Sequence, residues 1–158
     1  MTILESTSTL EDARKVWRAT IEDDGGYCPC CTRWGKIYAR NINETMCRSL
    51  IWLTKARANQ HGWVDVPETA PRWLVRSNQL PTLRWWNLVE RIPSADPDAK
   101  HSGLWRPTML GFGFSLNTCT VPKTAYTYKG EVEYMSDDTV NVADCFGKKF
   151  SYQEVMNG

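Results

Sequence analysis

The residues best suited to chemistry sit side by side in Tyr27-Cys28-Pro29-Cys30-Cys31-Thr32-Arg33-Trp34. Cys28 and Cys31 stand in the C-x-x-C relation that lets two thiolates from one tight turn reach a tetrahedral zinc, with Pro29 removing a backbone donor and stiffening the turn. That is half of a structural Zn2+ site. No second C-x-x-C follows, so further ligands must come from scattered positions: Cys30, Cys47, His61, Asp65, His101, Cys119 or Cys145. His61 is the best third ligand, because it follows the helix that starts just after the knuckle. Two other readings stand beside zinc. A redox C-x-x-C would need a βαβ setting that the sequence lacks, and free thiols are among the most buried side chains.

Nucleophilic catalysis finds little support. His61 and His101 are the only histidines, and nothing sets either beside a Cys or Ser nucleophile with an orienting carboxylate. Gly111-Phe112-Gly113 lacks the third glycine and the strand-turn-helix setting of a phosphate loop. The expectation is a protein that is not an enzyme.

A second constellation suits nucleic acid. Residues 28–60 carry six basic side chains and one acidic, the strongest positive stretch of a chain whose net charge is only +1. Within and after it, Arg48, Lys55 and Arg57 could touch phosphates, while Arg76, Asn78, Gln79, Thr82 and Arg84 offer groups able to read base edges. The plain alternative for the basic helix is a solvated face. A different alternative uses Trp85 and Arg84 as anchors for a protein partner, since the chain holds eight tryptophans and both residue types are enriched in interface hot spots.

These residues need elements to hold them. Thr9-Leu10-Glu11-Asp12 resembles a capping box, and Leu10, Ala13, Val16 and Trp17 share one face, which predicts a helix over 10–21. Asn41 as N-cap and the stripe Ile42, Met46, Cys47, Leu50, Ile51, Leu53 predict the longest helix over 42–58. Trp63 to Val66 reads as a short strand and 70–76 as a short helix with Pro71 in its first turn. Ser77 or Asn78 then caps a brief helix that Asn87 stops, because Asn tolerates the left-handed conformation. Strands over 88–92 and 104–106 flank a polar tip at 93–103, and Thr108 caps a helix through Phe114 or Leu116. Lys129-Gly130 joins strands 125–128 and 131–134 in a hairpin, with 139–142 a further strand. Ser151 to Met156 reads as a last helical turn.

Helix, strand, loop, strand over 77–108 is the order of parts in a winged helix. The fold expected is α+β: helices with the CPCC metal knuckle over 1–62, a winged-helix core over 63–118, and a small antiparallel β appendage over 119–158. Leu83-x-x-Trp86-Asn87-Leu88-Val89-Glu90, then Trp105-Arg106-Pro107-Thr108-x-x-Gly111, is similar to the layout of MarR- and PadR-like winged-helix regulators, with Asn87 in place of their glycine. More narrowly, CPCC-x-R-x-x-K-x-Y-x-R at 28–40, LRWW-x-L-V-E at 83–90, SGLWRPT at 102–108 and VPK…GKKF…M at 121–156 resemble an uncharacterised family of phage and prophage proteins. The resemblance implies this architecture and a phage source; the helix-to-wing order, the basic segment and the knuckle give the expected function, a zinc-stabilised, regulatory protein that binds double-stranded DNA, with a phage factor that binds a host enzyme or defence complex as the alternative. A two-fold dimer through Leu10–Ile21 or the C-terminal hairpin would suit palindromic sites.

Hydrophobic content of 42% and charged content of 23% are those of an ordinary folded domain. No apolar run approaches the ~18 residues that span a bilayer, and MTILESTSTLEDARK lacks the basic-then-apolar layout of a signal peptide, so the expectation is a cytoplasmic protein without membrane contact.

Overall fold

A computed structural model describes residues 8–93, 98, 102–146 and 152–157. Along the chain run α1 (Leu10–Glu22), β1 (Gly26–Tyr27), β2 (Trp34–Gly35), β3 (Tyr38–Asn41), α2 (Glu44–Lys55), β4 (Val64–Asp65), α3 (Val66–Thr69) and α4 (Arg72–Ser77). A 3-10 helix (Leu80–Trp86) leads to β5 (Val89–Arg91), β6 (Leu104–Pro107), α5 (Met109–Ser115), β7 (Val121–Pro122), β8 (Thr124–Tyr128), β9 (Glu131–Met135) and β10 (Thr139–Val140). A second 3-10 turn (Ala143–Cys145) and α6 (Tyr152–Asn157) complete it. Helices mix with small antiparallel sheets, as the α+β expectation holds. No helix among the described residues is long and apolar enough to cross a membrane.

The chain forms two compact units, one of Met1–Arg40 with Ala125–Met135, the other of Asn41–Thr124 with Ser136–Gly158. This differs from the three consecutive segments expected from sequence. The cause is strand pairing: β8 lies between β3 and β9, so the C-terminal hairpin joins the N-terminal unit.

In that first unit, α1 starts at the capping box the sequence promised, with Thr9 Oγ1 accepting the Asp12 N–H at 3.1 Å and the Asp12 carboxylate accepting the Thr9 N–H at 3.0 Å. Its inner face places Trp17 directly over Gly35, where a Cβ would come within 2.5 Å of the indole. The same indole N–H donates to the Tyr128 hydroxyl at 3.0 Å. The hairpin turns at Lys129 and Gly130, both with positive φ (52° and 80°), the pair of left-handed residues that a two-residue turn requires.

In the second unit α2 is shorter than expected. Asn43, not Asn41, caps it by accepting the Met46 N–H at 2.9 Å, while the Ile42 N–H goes to the Lys123 carbonyl at 3.0 Å. At the other end Ala56 is extended (φ −68°, ψ 151°). The apolar stripe behaves as patterned: Met46, Cys47, Leu50, Ile51 and Leu53 are buried, against α5, β6 and the 3-10 helix. Each leucine so buried contributes about 1.5–3 kcal/mol.

α4 ends at Asn78, whose φ of 52° makes it the terminator of one helix rather than the cap of the next. Pro81 lies at the start of the following segment and Asn87 (φ 58°) stops it, leaving a seven-residue 3-10 helix where a short α-helix was expected. Leu80, Leu83 and Trp86 point into the core, and the Trp86 indole donates to the Pro122 carbonyl at 2.8 Å. β5 and β6 pair antiparallel in the register Val89–Pro107, Glu90–Arg106, Arg91–Trp105, and β4 flanks β6 on its other edge. The polar tip with Asp96, Lys100 and His101 lies outside the described residues. The strand expected over 139–142 is only Thr139–Val140, and it pairs with β7 instead of extending the hairpin.

Candidate functional site

The knuckle forms as a turn between β1 and β2, strands only two residues long each. The Cys28 N–H donates to the Arg33 carbonyl (2.8 Å) and the Thr32 N–H to the Cys28 carbonyl (2.9 Å). Thr32 takes the left-handed conformation (φ 62°) that closes the loop. Inside it, the Cys30 N–H donates to Cys28 Sγ at 3.4 Å. Backbone N–H groups of Cys31 and Cys30 thereby hold the Cys28 thiol below its ordinary pKa, because they stabilise the thiolate. Cys30 and Cys31 are exposed. Tyr27 and Trp34 flank the turn edge to face, ring centroids 5.3 Å apart, and remain 66% and 52% exposed.

Among the described residues no three of His, Cys, Asp and Glu are grouped to hold a metal. His61 belongs to the other unit, where its Nε2 lies 3.3 Å from Gln60 Nε2 and its carbonyl accepts from Arg106. Spacing could show the half-site, but not where the far residue would land.

Another thiol pair was invisible in the sequence. Cys47 and Cys145, ninety-eight positions apart, share a hydrogen bond that pushes the Cys47 pKa up, helped by burial, and the Cys145 pKa down. An alkylating reagent is expected to label Cys30 and Cys31 within minutes and to leave Cys47, which has no exposed surface, unlabelled until denaturant is added. Mass mapping of labelled peptides checks this, and early labelling of Cys47 would contradict the packing.

The basic residues also sort themselves. Arg48 lies 3.7 Å from the Glu44 carboxylate and over the Phe146 ring at 5.5 Å. Lys55 donates its ammonium to the Met156 carbonyl, and Arg57 lies in the loop after α2. The helix expected to supply the positive grip has thus committed two of its cations locally. Gln79 Nε2 donates to the Ser77 carbonyl at 3.1 Å, and the Thr82 hydroxyl to the Gln79 carbonyl. These two side chains fasten the turn between α4 and the 3-10 helix. Trp85 is half-buried, tilted against Trp86 with centroids 6.3 Å apart.

What stays outward is Arg76, Asn78 and Arg84, joined by Arg72, which the sequence reading passed over. Arg72 and Arg76 are four apart and share a face of α4. Residues 70–89 contain three arginines and no acidic side chain, and none of the three pairs with a carboxylate among the described residues. By contrast Arg106 is bound to Glu90 at 2.6 Å and stacked over Trp63 at 4.1 Å. The absence of any acid over those twenty residues is readable in the sequence and is the signal for Arg72.

A groove of about 370 Å³ opens beside this surface, lined by Val66, Leu74, Leu80, Arg91 and Trp105 among others. On α5 and at its C-cap, Met109, Phe112 and Leu116 project at 90%, 44% and 58% exposure. Comparison with family models, curated proteins and solved structures gives no match, so geometry alone carries the functional reading.

Proposed function

We propose that this protein binds double-stranded DNA through its second unit, used as a winged-helix module. The supporting observation is the uncompensated charge on α4 and the 3-10 helix, set immediately before an antiparallel strand pair. Phosphate neutralisation provides most sequence-independent affinity, and an arginine already held by a carboxylate contributes little to it. Arg72 and Arg76 serve as phosphate contacts. Asn78 and Arg84 are the side chains for base edges, Asn suiting adenine and Arg suiting guanine in the major groove. A seven-residue 3-10 helix is roughly 14 Å long at about 2 Å per residue, enough to cross about four base pairs. Gel shift at low salt on random and genomic duplexes tests the proposal. A shifted species that dissolves as salt rises is expected, and no shift on any duplex would overturn it.

A second reading, an interaction module for a protein such as a host enzyme, draws on a different observation: the apolar stripe Met109, Phe112 and Leu116 left exposed on α5 and at its C-cap. Under that reading a Phe112→Ser variant loses a captured partner and retains duplex binding, whereas Trp85, already half-buried, is a poor anchor.

A further inference from the structure

The knuckle offers two thiols from one tight turn, half of a metal site, and the geometry points to a second copy of this chain as the source of the other half: one Zn2+ bound by Cys28 and Cys31 of two chains. Zinc in a structural site takes four ligands at tetrahedral corners. The C-x-x-C turn supplies two, and no described residue stands ready beside them as a third. A two-fold axis through the metal brings the same pair again without needing any other surface to change, since an isologous contact repeats each residue.

Three features of the turn fit this arrangement. The N–H of Cys30 is directed to Cys28 Sγ at 3.4 Å, so the backbone of the turn holds that sulfur in place. Cys31 is exposed at the tip, so a second chain can approach it. Tyr27 and Trp34 leave an apolar rim around the thiols, and covering it on association adds a driving force that the metal alone would not give. Each of the four sulfurs binds as a thiolate, and any that is still protonated gives its proton to solvent as its Zn–S bond forms, so assembly weakens as pH falls.

The full chain purified with zinc tests this by elemental analysis and light scattering together. One zinc per two chains is expected, in a particle of twice the 18.1 kDa chain mass, which a strong chelator converts to monomer. Cobalt substitution should give the intense charge-transfer bands of an all-thiolate tetrahedral site. Cys31→Ser should lose metal and dimer together with its circular dichroism unchanged, while Cys30→Ser, altering only a residue inside the turn, should keep both. One zinc per monomer, a dimer that survives chelation, a cobalt spectrum with nitrogen ligands, or no bound zinc would each overturn the inference.

Discussion

Replacing Arg72, Arg76 and Arg84 together by Glu is expected to weaken duplex binding by at least about 100-fold while leaving the fold intact. Single arginines at a DNA surface carry roughly 1–3 kcal/mol each, and here each substitution also introduces repulsion toward phosphate. The fold should tolerate the change because the three side chains are exposed and make no ion pair among the described residues, and such surface changes stay within about 0.5 kcal/mol apiece. Anisotropy of a labelled duplex and a melting curve, taken on the same sample, separate the two effects. Retained affinity with a normal melt would remove α4 and the 3-10 helix from the DNA account. The same triple change made at Arg33, Arg40 and Arg57 is the control, with a smaller loss expected.

Gly111→Ala is expected to destabilise the second unit by about 3 kcal/mol or more, from the overpacking of a site with no room. A Cβ at Gly111 would stand 2.1 Å from the Leu88 carbonyl oxygen, and backbone cannot swing aside as a side chain does. Three bonds fix that approach. The Thr108 hydroxyl accepts the Gly111 N–H at 3.0 Å and donates to the Asn87 carbonyl at 2.6 Å, and the Thr108 N–H donates to the Leu88 carbonyl at 3.0 Å. The Thr-x-x-Gly pattern is therefore a clamp that holds the start of α5 against the exit of the 3-10 helix. A melting midpoint lowered by about 6–12 °C follows at 2–4 °C per kcal/mol. An unchanged midpoint would mean that α5 is not seated there.

What could be read in the sequence was what short-range chemistry determines. The capping box at Thr9, the stop at Asn87 and the turn at Lys129-Gly130 each depend on residues within four positions, and each is present. The buried stripe of α2 was legible for the same reason, as helical period reports the side facing the core. Pairings across long separations were not. β8 bonds to β3, and β7 to β10, through strands of two to five residues whose own patterns name no partner. Nor does hydrogen-bond capacity show where a group is used: the Gln79 and Thr82 side chains donate to backbone carbonyls of their own turn. Local polar side chains often compete in this way for nearby backbone groups. The Lys55 ammonium donates to a carbonyl one hundred and one residues away, a partner that sequence does not reveal. At the knuckle, spacing located Cys28 and Cys31 but not the ligands that would complete them.

The measurement that bears most directly on the proposed function is the salt dependence of duplex affinity. Two arginine contacts to phosphate, Arg72 and Arg76, give a slope of about −0.9 per contact in log K against log salt, so affinity should fall roughly 12-fold between 50 and 200 mM salt. Arg76→Ala should lower the slope by about one. An affinity that stays flat across that range, or a slope that Arg76→Ala leaves unchanged, would contradict DNA binding through α4 and the 3-10 helix.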